Sequence, residues 1–366
     1  MPAESRSPEI TDLTICRAAF AAWVFVYHVD LCTGFSGYLT PFAGLVRHGY
    51  LGVDGFFLLS GMILARVHPE LVERPDLAKM FWGRRLARIY PVHLATIVVL
   101  AVLVLTGLAL GFAERAPERF TIGSLVANLL LVHGWGFSNF LAWNYPSWSV
   151  STEWAGYLMF PAIWYFVGRW DLIITTPIMV IALTSIGAVA YFSGVGLNLT
   201  YGGALFRFVP EFVAGIAACR IVPAYADEMP ARMLAFVGIG GAAMGAWLGS
   251  DTVVVVMLLL VIVAVAMRAD GWRPPVFGTA RLPLFFGQLS YAFYMSFATA
   301  ELLVTQAFRH AHVDPAGEKL LFAAAMTVLS LAYAIILHVF IEVPARRAAD
   351  RFLAAPAPLA GRELRL

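Results

Sequence analysis

The sequence predicts an all-α polytopic membrane protein: a bundle of about ten transmembrane helices plus a short re-entrant segment, with both termini cytoplasmic. Three observations predict it. Of 366 residues, 60% are hydrophobic and 13% charged, where an average soluble domain has about 45–50% apolar and about 25% charged residues. Mean hydropathy is +0.78, and the aromatic share of 14%, with 10 Trp and 27 Phe, suits rings placed at both membrane interfaces. Ten apolar runs have helix-spanning length. This composition excludes disorder, a coiled coil and an ordinary soluble α/β enzyme. A net charge of +2 gives no reason to expect a nucleic-acid partner.

The runs fall in order near residues 13–32, 50–65, 90–112, 150–168, 171–193, 202–221, 231–249, 251–267, 283–306 and 320–341. Residues 1–12 carry Glu4, Arg6, Glu9 and Asp12, and a secretory signal wants a basic start. The first run is therefore expected to be a retained span. Domain boundaries follow: a cytoplasmic segment 1–12, a membrane domain 13–341, and a cytoplasmic tail 342–366, amphipathic or flexible. Cys16 and Cys32 lie about 24 Å apart if helical, too far for a disulfide. No Cys, His or carboxylate spacing suggests a metal site.

An eleventh run, 122–135, is short enough to be either a span or a re-entrant piece. The excess of Lys and Arg on the cytoplasmic side decides. If it does not cross, 19 of the 25 basic residues are cytoplasmic, 5 are outside, and Arg207 lies within a span. If it crosses, 10 lie inside and 14 outside. Ten crossings follow, with residues 136–147 extracytoplasmic.

An ionisable group inside the bilayer is costly and needs a reason. Arg17 and His28 are eleven residues apart, so at 100° per residue they share one helix face, about 16–17 Å apart along the axis. They read either as a snorkelling Arg with an interfacial His or as a functional pair. In the next span, Asp54 stands among Gly49, Gly52, Gly55 and Gly61, as a helix cap beside packing glycines or as a functional carboxylate. Arg84, Arg85 and Arg88 precede the third span; they mark the cytoplasmic side, or form a guanidinium cluster that grips phosphate bidentately. Glu153 sits inside the fourth span after Ser147, Ser149, Ser151 and Thr152, and a buried carboxylate must be paired or protonated. Arg207 and Glu211, four apart, can pair on one face. Glu301 and His338 have no evident partner.

Several motifs coincide in order: Arg17 with His28 (R-x10-H), GVDGFFLLSG, RRLARIYP at 84–91, SWSVSTEWAGYLMFP at 147–161, RFVPEFVAGIAA at 207–218, LSYAFYM at 289–295 with Ser290 and Tyr291, and IEVP at 341–344. Over residues 12–350 the chain resembles the acyltransferase-3 family of integral membrane acyltransferases, of the O-acetyltransferase type. The resemblance implies transfer of an acyl group, usually acetyl, from cytoplasmic acyl-coenzyme A to a hydroxyl of an extracytoplasmic carbohydrate such as an exopolysaccharide, O-antigen or glycolipid. It implies a multi-pass protein of the cell (inner) membrane, in contact with lipid. A homo-oligomer or a partner envelope-modifying protein is compatible with it. His28, Glu153 and Arg17 are then the expected catalytic residues, Arg84, Arg85 and Arg88 the expected donor-binding ones, and Asp54, Arg207, Glu211, Ser290 and Tyr291 supporting ones. One element departs: where the family has a His, this chain has Phe297. The extra C-terminal hydrolase-like domain of some relatives is not expected after residue 341.

The chemistry of the residues agrees. His has the intrinsic pKa for a general base, Glu153 could orient it, and arginines near the cytoplasm suit a polyanionic donor. Arg17, between them, could hold pantetheine carbonyls or a phosphate. Two other readings stay open: an acyltransferase acting on a small secreted metabolite, and a glycolipid or acyl transporter. Transporters often show two related halves with broken helices, and none is visible here.

Overall fold

The computed structural model describes residues 11–111, 117–137, 140–225, 230–270 and 274–353. The expectations for residues 1–10, for 138 and 139 in the loop expected to be extracytoplasmic, and for 354–366 lie outside the described residues.

The described residues are helical and contain no strand. The long helices are α1 (Thr11–Thr33), α3 (Gly52–Val67), α4 (Ala78–Ala109), α6 (Trp148–Val167), α7 (Leu172–Phe192), α8 (Ala204–Tyr225), α9 (Ala231–Leu248), α10 (Asp251–Asp270), α11 (Arg281–His310) and α12 (Lys319–Leu337). Short helices α2 (Ala43–Arg47), α5 (Ile122–Leu129) and α13 (Val343–Phe352) join or follow them. Each predicted run thus has its helix. Seven of them, α1, α3, α4, α7, α9, α10 and α12, are long and apolar enough to cross a membrane. The other three, α6, α8 and α11, carry Glu153, Arg207 with Glu211, and Ser290 with Tyr291.

Helix ends follow local chemistry. Asp171 caps α7 by accepting from the Ile174 amide at 3.1 Å, and Gly249 at φ 75° ends α9, a left-handed position that costs glycine little. α4 begins twelve residues before its apolar run, because Leu, Arg and Ala are good helix formers outside the hydrocarbon too. The arginine cluster is therefore helical. α5 has eight residues and rises about 12 Å, well short of a bilayer core about 30 Å thick. That is the length a non-crossing segment needs.

Two buried apolar clusters share α1, α3 and α8. One extends through α4, α6, α11 and α12, the other through α7, α9 and α10. The helices at the seam touch almost backbone to backbone. A Cβ on Gly61 would lie 2.1 Å from the Phe212 carbonyl, and one on Gly215 2.1 Å from that of Leu58, so α3 and α8 lock at reciprocal glycines. α11 meets α1 in the same way, with Gly287 against the Thr14 carbonyl. These close approaches bring polar side chains on α3, α8 and α11 within reach of α1.

The charge split makes a testable statement about sidedness. A cysteine introduced at the exposed Phe137 should react with an impermeant thiol reagent in intact cells. Reaction only after permeabilisation would reverse the assignment of the 136–147 loop.

Candidate active site

α1 runs unbroken from Thr11 to Thr33, so Arg17 and His28 keep their common face and their separation. Arg17 lines a cavity of about 780 Å³, counting its open mouth, with Ser60 of α3, Arg85 and Arg88 of α4, and Glu153 and Tyr157 of α6. The Gly287–Thr14 contact places Ser290 and Tyr291 of α11 in the same wall. Tyr291 donates to the Ile89 carbonyl at 2.6 Å, which ties α11 to α4 beside Arg88.

The arginines divide. Arg85 and Arg88 are three apart and share a helix face. Arg84, about 100° away from Arg85, does not line the cavity and donates to the Leu353 carbonyl at 3.1 Å. The predicted three-arginine cluster is therefore corrected to Arg85 and Arg88, joined from α1 by Arg17. Among the described residues, none of these three guanidinium groups forms an ion pair. Glu153 is the carboxylate of the cavity wall, and its Oε1 accepts from Ser60 Oγ at 2.5 Å and from the Tyr157 hydroxyl at 2.7 Å.

Arg85 is held from behind. Its Nη2 lies 2.7 Å from His68 Nε2, and His68 Nδ1 lies 3.0 Å from Glu70 Oε1. A guanidinium only donates and a carboxylate only accepts, so Nε2 accepts from Arg85 and Nδ1–H donates to Glu70. His68 is neutral in this arrangement. Burial first, and then the Arg85 charge, push its pKa below the usual imidazole value. The Arg85 guanidinium also lies over Phe81 and Tyr157, 5.6 and 6.0 Å from the ring centroids.

His28 lies beyond this cavity. Its Nδ1 is 2.8 Å from the Val24 carbonyl, which can only accept, so Nδ1 carries a proton and Nε2 is left to act. The ring stacks on Tyr145 at 5.4 Å and 27° and touches Phe297 at 5.7 Å. Phe297 packs in turn on Tyr294. Ser149 and Tyr294 belong to the cavity wall, with Ser149 Oγ donating to the Tyr294 oxygen at 3.0 Å. Through Tyr294 and Phe297 the cavity reaches the neighbourhood of His28. The expected partnership of Glu153 with His28 is not formed: Glu153 belongs with the arginines. On the His28 side stands Glu301, which accepts a hydrogen bond from the Tyr145 hydroxyl.

The supporting residues also rearrange. Asp54 caps no helix: the α3 N-terminus has no side-chain cap, and Asp54 is fully buried in a two-bond ion pair with Arg207. Arg207 also donates to the Tyr50 and Leu199 carbonyls, at 3.0 and 3.2 Å. The i,i+4 pairing of Arg207 with Glu211 is thus corrected, since the guanidinium fork is already taken; Glu211 stands buried beside Asp54. His338 finds its partner in Glu342, at 2.8 Å across a π turn.

Sequence reasoning missed His68 and Tyr145, the partner of Glu301. His68-x-Glu70 was a local signal for one of them. The Tyr145–Glu301 bond spans 156 residues and leaves no trace in spacing. Among the described residues, no group of three or more His, Cys, Asp and Glu could hold a metal ion.

The acyltransferase-3 family, described as an acyltransferase domain, matches residues 10–339. Acyltransferase MdmB of Streptomyces mycarofaciens is 35% identical over 173 residues, which cover 46% of this chain and 41% of that protein. The match thus spans less than half the length of that curated relative. No solved structure matches.

Proposed function

The chain belongs to the acyltransferase-3 family, and on that premise we propose that it is a membrane O-acyltransferase. It moves an acyl group, acetyl in the first instance, from cytoplasmic acyl-coenzyme A to a hydroxyl of an extracytoplasmic carbohydrate, in the inner membrane. The observation that carries this reading is the cavity wall in which three guanidinium groups, Arg17, Arg85 and Arg88, face one carboxylate, Glu153. That excess of positive charge at the cytoplasmic side suits a polyanion, and a ligand bearing several phosphates would neutralise it. Coenzyme A is such a ligand.

The chemistry follows from the two ends of the site. Arg85, set by His68, and Arg88 take the donor phosphates, and Arg17 takes a phosphate or a pantetheine carbonyl. The thioester arm then extends toward Ser149 and Tyr294, the end of the cavity linked to His28. His28 Nε2 takes the proton of the acceptor hydroxyl. The freed oxygen pair forms the C–O bond to the thioester carbonyl carbon, the C–S bond breaks, and the imidazolium returns the proton to the coenzyme A sulfur. Glu153 balances the guanidinium charge and, through Ser60 and Tyr157, fixes the wall.

Donor binding is tested directly. Arg85→Ala or Arg88→Ala removes a charge-assisted contact of roughly 1.5–3 kcal/mol. The KM for acyl-coenzyme A should rise about 10- to 150-fold, with the acceptor KM little changed. An unchanged donor KM in correctly inserted variants would reduce these arginines to topology signals. The acceptor class is tested by mass spectrometry of surface polysaccharides and glycolipids with and without the protein, seeking a lost ester of defined mass.

A further inference from the structure

His28 has one ring nitrogen committed. Its Nδ1–H is spent on the Val24 carbonyl of its own helix, which fixes the tautomer. Three rings set the surroundings of the imidazole. Phe297 of α11 touches one side, and Tyr27, its neighbour on α1, meets the ring edge-on at 5.4 Å. The near-parallel face is Tyr145, from the turn that precedes α6.

Tyr145 is itself tethered. Its hydroxyl donates to Glu301 Oε2, and the Arg119 guanidinium lies 5.9 Å from its ring centroid. The Cys32 thiol also faces Glu301. Glu301 thus reaches the imidazole environment through a ring stacked on the base. The apolar side, formed by Phe297 with Phe25 and Phe293, offers no hydrogen bond.

We propose that Glu301, acting through Tyr145, is the positioning residue for His28: it holds the phenol that holds the imidazole with Nε2 directed at the acceptor hydroxyl. Its negative charge also favours the imidazolium formed as the proton arrives, as an opposite charge nearby does. The inference rests on the reading of His28 as the base. It assigns the carboxylate role to α11 and not to Glu153. The acceptor hydroxyl must then enter from the outer side, past Tyr145.

The experiment uses the full-length protein in proteoliposomes, measuring kcat, both KM values, binding of a non-hydrolysable acyl-coenzyme A analogue and thermal stability. Glu301→Ala should lower kcat about 10- to 100-fold, the scale on which small misplacements of reacting groups act, with donor binding unchanged within about twofold. Glu301→Gln keeps a hydrogen-bond acceptor for Tyr145 but loses the charge, and should recover part of that loss. Tyr145→Phe keeps the ring but cuts the tether, and should fall between wild type and Glu301→Ala. In a His28→Ala background, Glu301→Ala should cost nothing further, because residues acting as one unit are not additive. Wild-type kcat in Glu301→Ala would overturn the proposal while leaving His28 as the base. So would equal losses in the presence and absence of His28, which would mark Glu301 as a structural tie between α11 and the Tyr145 turn. An active His28→Ala would overturn both readings together.

Discussion

Replacing His28 with alanine should lower kcat by about 10²–10⁴, the range general base catalysis supplies, while the protein still inserts and still binds acyl-coenzyme A. The two halves of that expectation come from the separation on α1. Arg17 is in the arginine cavity and His28 is about 16–17 Å further along the helix, so the donor's phosphates and the base are handled by different residues. His28→Gln is the sharper variant. An amide can still donate to the Val24 carbonyl and fill the space beside Tyr145 and Phe297, but it cannot take up a proton, so it should be nearly as inactive as alanine. In the wild-type protein the rate should rise with pH as the imidazole loses its proton, and that rise should be absent from the residual rate of His28→Ala. Acyl transfer and donor binding measured side by side separate the outcomes. Turnover close to wild type in His28→Gln would mean that this position supplies only a hydrogen bond, and the base would then be sought at Glu153, the carboxylate in the arginine cavity.

Much of this was legible in the sequence, for reasons that particular residues make plain. Apolar runs locate helices because a membrane leaves the backbone few alternatives, so each of the ten runs has its helix. The common face of Arg17 and His28 follows from the helical period alone, and the same period explains why Arg85 and Arg88 face one way while Arg84 faces Leu353. Contacts distant in sequence were illegible. Arg207 has an acidic residue four positions on, and the local rule pairs them. Its actual partner, Asp54, lies 153 residues back and is brought near by the glycine-mediated approach of α3 and α8. Glu153 has the right chemistry for a partner of His28, but its place on α6 puts it level with Arg17. Nothing in the spacing of Tyr145 and Glu301 reveals that they meet.

The Asp54–Arg207 pair carries the second large expected effect, and its sign depends on a third residue. Both side chains are fully buried, and removing one member of such a pair leaves an uncompensated charge, costing about 3–5 kcal/mol. Here the two members are not equivalent, because Glu211 stands beside Asp54. Arg207→Leu leaves two buried carboxyl groups facing each other with no cation, and should lose the full amount. Asp54→Asn leaves the guanidinium with Glu211 as a nearby counter-charge and with the Tyr50 and Leu199 carbonyls as acceptors. It should cost only about 1–3 kcal/mol, the scale of a buried polar group deprived of one partner. Thermal unfolding of the purified protein in nanodiscs would read the difference, with donor binding measured on the fraction that remains folded. Asp54→Asn should bind donor normally, since neither Asp54 nor Arg207 lines the arginine cavity. Equal losses from the two variants would show that Glu211 does not share the guanidinium. An Arg207→Leu protein that is fully stable yet inactive would move this arginine from the scaffold into the reaction.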